Sequence, residues 1–87
     1  MEGDGSEVPK KMYEELTEIL RDVFDSDSIV ANPDLTASHV EGWDSLGNVR
    51  LFLTIERIYG VRFSAGEISG IDNVGELAES IVNKRGQ

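Results

Sequence analysis

The chain has 87 residues, one histidine and no cysteine, and its 17 acidic and 8 basic residues give a formal net charge of −9. The length predicts one domain, and the lack of cysteine excludes disulfides, thiolate metal sites and a cysteine nucleophile. The charge disfavours nucleic acid and anionic membranes as partners, and no segment approaches the roughly 20 apolar residues of a membrane span. We therefore expect a monomeric cytoplasmic protein without a metal site.

The acidic residues are concentrated in the first half of the chain. Residues 1–44 contain 12 acidic and 3 basic residues, whereas residues 45–87 contain 5 of each. Residues 1–8 are rich in glycine and acids and are predicted to form a flexible tail. The remaining residues, 9–87, are predicted to form one helical domain.

The first predicted element is an amphipathic helix that begins near Pro9, since proline suits a first helical turn. Its apolar stripe, with helical spacing, consists of Met12, Leu16, Ile19, Leu20, Val23 and Phe24. Residues 25–44 are rich in Asp, Ser, Asn and Pro and predict a long loop, which in a small domain is often functional. The apolar anchors of this loop are Ile29, Val30, Leu35 and Val40.

A second helix is predicted over residues 45–59, with Gly60 as its C-terminal stop. One side of it, predicted to face the core, holds Leu51, Phe52, Ile55, Ile58 and Tyr59. The opposite side holds Leu46, Val49 and Leu53, with Arg50 and Arg57 beside them. This second stripe either completes a core around a central helix or stays exposed for a partner. Because only three other helices are available to cover it, we favour a partner-binding stripe.

Two capping-box patterns predict the remaining helices. Ser64 and Glu67, with the staple pair Phe63 and Ile68, begin a short third helix. Asn73 and Glu76 form the second capping box, and a fourth helix begins there near Val74. The sum is an all-α fold, a small four-helix bundle with three main helices, one short helix and a long loop between helices 1 and 2. The residues expected to be well buried are Leu16, Leu51, Phe52, Ile55, Phe63, Ile71, Leu77 and Ile81.

The segment from Trp43 to Leu46 stands where the loop ends and the second helix begins. A serine or aspartate at this place is most simply an N-cap. A catalytic serine would need a base and an oxyanion hole, and no pattern orients His39 toward Ser45. We therefore expect no enzyme. A helix start also favours a phosphate attached to a hydroxyl there.

The segment Gly42-Trp-Asp-Ser-Leu-Gly47 resembles the attachment site of acyl carrier proteins, and the likeness extends over about residues 9–84. The resemblance implies that Ser45 carries 4′-phosphopantetheine, transferred from coenzyme A by a phosphopantetheinyl transferase with Mg²⁺. It also implies that Asp44 supports recognition by that transferase and its metal. The chain would then be a non-catalytic carrier that tethers acyl groups as thioesters for acyl-loading, condensing or transfer enzymes.

This chain departs from the carriers of ordinary fatty-acid synthesis that it resembles. Those carriers have acidic residues at the positions of Gly47 and Arg50 and near Arg57, and a small residue at Trp43. Since fatty-acid enzymes use basic patches, the departures predict a specialised polyketide, modified-lipid or sugar-modification pathway. The predicted partner-binding residues are Leu46, Val49, Arg50, Leu53 and Arg57. Two alternatives stay open: an aminoacyl or peptidyl carrier, and a small helical interaction module in which Ser45 is only a cap.

Overall fold

The computed structural model describes residues 8–85, and within that range it contains four α-helices, one 3-10 helix and no strand. The α-helices are α1 (Lys10–Phe24), α2 (Ser45–Tyr59), α3 (Ala65–Ser69) and α4 (Val74–Arg85). The predicted all-α fold, with three main helices and one short helix, is confirmed. Apart from Val8, the predicted acidic tail lies outside the described residues. None of the described helices is long and apolar enough to cross a bilayer.

Helices α1 and α2 pack side by side in opposite directions. At one end Phe24 lies close to Gly47, in the first turn of α2. At the other end the Tyr59 hydroxyl donates a hydrogen bond of 2.7 Å to the Glu15 carboxylate. Burial of the hydroxyl raises the pKa of Tyr59 above its ordinary value, and the bond to Glu15 raises it further. The pairing places the start of α2, and with it Ser45, at the C-terminal end of α1.

The core is formed by the apolar stripes of α1, α2 and α4. Of the residues predicted to be well buried, all are buried except Ile71, which is only partly so. Ile71 lies in the connection from α3 to α4 and lines a surface depression beside α2. The solvent at this depression explains its residual exposure.

Two apolar residues that we expected to be buried are exposed to solvent instead. We expected Ile58 on the core side of α2 and Val30 as an anchor of the loop. Ile58 is 55% exposed, because it lies at the edge of the buried sector, where Glu15 and Glu18 of α1 line the surface beside it. Val30 is 59% exposed, and its neighbour Ala31 is buried in its place. The Ala31 N–H donates to the Thr17 hydroxyl at 2.9 Å, which turns Ala31 inward.

The loop at residues 25–44 is tied to α1 and α4. The Arg21 guanidinium donates to the Ile29 carbonyl at 2.7 Å, and the Val74 N–H donates to the Leu35 carbonyl at 2.9 Å. The second bond satisfies a backbone donor at the start of α4 that the helix itself leaves free. These bonds hold the loop against the bundle at Ile29 and Leu35.

Helix α3 has the capping box expected from its sequence and one further attachment. The Glu67 N–H donates to the Ser64 hydroxyl, and the Ser64 N–H donates back to the Glu67 carboxylate. Lys84 of α4 pairs with the same carboxylate at 2.9 Å. The hydrogen bond from the Ser64 N–H is the main reason that the pKa of Glu67 lies below its ordinary value, and the hydrogen bond from Lys84 is the second.

Candidate functional site

The first two residues at the start of α2 have separate roles. Asp44 is the N-cap, and its Oδ1 accepts a hydrogen bond of 2.9 Å from the Gly47 N–H. Ser45 is the first helical residue, and its exposed hydroxyl makes no hydrogen bond to any part of the chain that the structure describes. The reading of Ser45 as the cap is therefore wrong, because Asp44 performs that function.

The backbone around Ser45 is suited to an anion. The N–H groups of Ser45 and Leu46 have no hydrogen-bond partner among residues 8–85, as is usual in a first helical turn. The first turn of α2 also contains no acidic side chain. Free N–H groups and the positive end of the helix dipole favour a phosphate at this position.

Trp43 fixes the end of the loop against two helices. Its indole Nε1 donates to Asn48 Oδ1 at 2.8 Å, and its ring stacks on Phe24 with centroids 5.5 Å apart. The bond spans the start of α2, so the two residues before Ser45 and the first turn after it form one unit. Neither Asn48 nor Phe24 was predicted to belong to the site. The contact with Phe24 depends on how α1 meets α2, and the bond to Asn48 depends on the orientation of the indole in the turn before α2.

The backbone conformation and the packing explain why positions 42 and 47 are glycines. Gly42 has a φ of +91°, a left-handed conformation that side chains disfavour. Gly47 is buried, and a Cβ there would overlap the Gly42 carbonyl oxygen and come within 2.9 Å of the Phe24 ring. The lack of an acidic residue at position 47 therefore follows from close packing at the helix start.

Substitution of Gly47 by alanine is expected to destabilise the protein by about 1–3 kcal/mol, because the added methyl group forces backbone and ring to shift. Gly66 of α3 is the matched control, since a Cβ there meets nothing within 4 Å. Gly66→Ala should leave the free energy of unfolding unchanged or raise it slightly. Urea denaturation of both variants measures the difference, and equal effects would contradict the close approach.

A shallow surface depression of about 360 Å³ begins beside Ser45 and runs toward α3. Its walls are about half apolar, with Trp43, Ile68 and Ile71 on the apolar part and Asn48 and Ser69 on the polar part. An extended, partly apolar group attached to Ser45 can therefore lie against the protein surface instead of in open solvent.

The second apolar stripe of α2 is exposed, as we expected. Leu46 is 71% exposed, Val49 is 53% exposed and Leu53 is 57% exposed. Surface leucines and valines in such a row, on the helix that begins at Ser45, form an apolar strip that a partner can cover.

The two arginines beside this stripe differ in their contacts. Arg50 donates from Nη2 to the Val23 carbonyl at 3.1 Å and so also holds α2 to the end of α1, which we did not predict. Arg57 is exposed and has no hydrogen-bond or ion-pair partner among residues 8–85. Its neighbour Glu56 accepts a hydrogen bond of 2.8 Å from the Phe63 N–H instead.

His39 is exposed in the loop, and its Nδ1 accepts a hydrogen bond of 3.2 Å from the Thr36 N–H. No contact joins it to Ser45 in the described residues. Within the same residues, no three histidine or acidic side chains are grouped so that they could hold a metal ion.

No protein-family model and no curated protein matches this chain. A solved structure does match: the solution NMR structure of a holo acyl carrier protein from Geobacter metallireducens is 38% identical in sequence, with 84% of each chain covered and a TM-score of 0.80. Identity at this level over most of both chains indicates common ancestry as well as a common fold. Together with the helix order and the resemblance around Ser45, it shows that the chain belongs to the acyl carrier protein family.

Proposed function

We propose that this protein carries acyl groups as thioesters on a 4′-phosphopantetheine arm attached to Ser45. The observation that supports the site is the exposed Ser45 hydroxyl, which has no hydrogen-bond partner in the described chain while Asp44 caps the helix. When attached, the arm supplies the terminal thiol that a chain without cysteine lacks.

The residues around Ser45 fit such an arm. The N–H groups of Ser45 and Leu46 can donate to phosphate oxygens, and the depression lined by Trp43 and Ile71 can receive the apolar part of the arm. Asp44 uses Oδ1 for the cap, and its other oxygen has no partner among residues 8–85. That oxygen is a suitable Mg²⁺ ligand, which supports a role of Asp44 in recognition by the transferase.

The chain itself binds, positions and presents the thioester, and we assign the chemical steps to its partners. Tethering raises the effective concentration of the acyl group at a partner's active site. The partners in this proposal are a phosphopantetheinyl transferase and the loading, condensing or transfer enzymes of a specialised cytoplasmic pathway. The specialised assignment is supported by α2, whose exposed face carries Arg50 and Arg57 where fatty-acid carriers are acidic.

Incubation of the purified protein with coenzyme A, Mg²⁺ and a broad-specificity transferase tests the proposal. Intact mass should increase by one phosphopantetheine, and peptide mapping should place it on Ser45. An unchanged mass, under conditions that modify a control carrier, would support the interaction module instead. The group bound to the thiol after purification from the native host distinguishes an acyl carrier from an aminoacyl or peptidyl carrier.

A further inference from the structure

The exposed face of α2 carries positive charge on a chain whose net charge is −9. At about 100° per residue, Leu46, Leu53 and Arg57 fall within one narrow sector, and Arg50 borders it. The one acidic residue of α2, Glu56, is partly buried and is engaged by the Phe63 N–H. The face around Leu46 and Leu53 is therefore an apolar strip with a basic border, and Glu56 lies outside this sector of the helix.

We propose, on the basis of the function proposed above, that this face docks an enzyme whose binding surface is an apolar patch bordered by acidic side chains. Most of the remaining charge lies in residues 1–44, where acids outnumber bases 12 to 3. An acidic partner is repelled by that part of the chain and attracted to the two arginines of α2. Charge therefore selects the partner and also its orientation.

The geometry suits a single docking event. Ser45 and Arg57 are separated by twelve residues of one helix, or about 18 Å along its axis. An interface of ordinary size, about 800 Å² on each partner, covers both positions. An enzyme held at Arg57 thus has its active site within reach of an arm on Ser45.

Arg57 is the residue that tests this inference cleanly. Arg50 also bonds to the Val23 carbonyl, so its replacement changes both the surface charge and the packing of α2 on α1. Arg57 has no such bond in the described structure. Lys11, exposed on α1, provides the matched control, because Lys11→Glu changes the net charge by the same amount on a different helix.

Two defined probes report on docking: a malonyl transacylase of fatty-acid synthesis, which has a basic docking patch, and a variant of it with that patch changed to glutamate. The carrier is used with its arm attached, as verified by mass. We expect the wild-type carrier to favour the acidic probe by about tenfold in kcat/KM, and Arg57→Glu to reverse that preference. Lys11→Glu should behave as the wild type. Added salt should slow the wild-type reaction with the acidic probe and speed it with the basic one.

If the wild type, Arg57→Glu and Lys11→Glu, each with the arm attached, show the same preference between the two probes, the inference is overturned. A failure of attachment would instead overturn the proposed function, so the two failures are distinguishable. Titration of the unmodified protein with the acidic probe, followed by NMR, gives an independent readout. Shifts should concentrate at residues 46–57, whereas shifts on α1 alone, or self-association of the carrier through α2, would contradict an acidic enzyme as the occupant.

Discussion

Replacement of Ser45 by alanine is expected to abolish attachment of phosphopantetheine completely while leaving the fold intact. The hydroxyl oxygen is the atom that would form the phosphodiester bond to the arm, and alanine has no such oxygen. The same hydroxyl makes no hydrogen bond within residues 8–85, so its removal leaves no polar group unpaired. Intact mass after incubation with coenzyme A and the transferase measures the first effect, and thermal unfolding measures the second.

Ser69→Ala is the matched control for this experiment. Ser69 lines the same depression as Ser45, and its hydroxyl donates only a long bond of 3.3 Å to the Gly66 carbonyl. This variant should gain the full mass of the arm at the wild-type rate. If Ser45→Ala still gains the arm, the assignment of the attachment site is wrong.

Truncation of Ile55 to alanine is expected to lower the free energy of unfolding by about 2–5 kcal/mol. Ile55 is 0% exposed and lies on the side of α2 that packs into the core. The substitution removes three carbon atoms and leaves a cavity that the small bundle can close only in part. Urea denaturation followed by circular dichroism gives the free energies for comparison.

The control, Ile58→Ala, makes the same chemical change one turn along the same helix. Ile58 is 55% exposed, so its truncation should cost no more than about 0.5 kcal/mol. A similar loss for both variants would show that burial does not set the cost. A loss confined to Ile58 would mean that α2 is rotated from the orientation described here.

The helix boundaries were predictable because their signals are local. Gly60 ends α2 with a φ of +68°, and Ser64 with Glu67 begins α3 through contacts only three residues apart. The capping of α4 differs from the predicted pattern by one residue, since Glu76 accepts from the Asp72 N–H while Asn73 caps the helix. Such a shift leaves the helix in place, because either N–H satisfies the carboxylate.

The organisation of the site was only partly predictable. The sequence places Asp44 and Ser45 at the start of a helix, but both residue types are good N-caps. Which of them caps depends on the backbone geometry of the turn. The bond from Arg50 to the Val23 carbonyl depends on the docking of α2 against α1, and it joins residues 27 positions apart. No local pattern contains that information.

The anchoring of Trp43 has a spectroscopic consequence. The chain contains one tryptophan, and its indole is fixed by Asn48 and Phe24 two residues before Ser45. Indole emission responds to the polarity and the quenching groups around the ring, and here the whole signal originates at one place. Chemistry at the neighbouring hydroxyl can therefore be followed in real time by intrinsic fluorescence, with no label added to the protein.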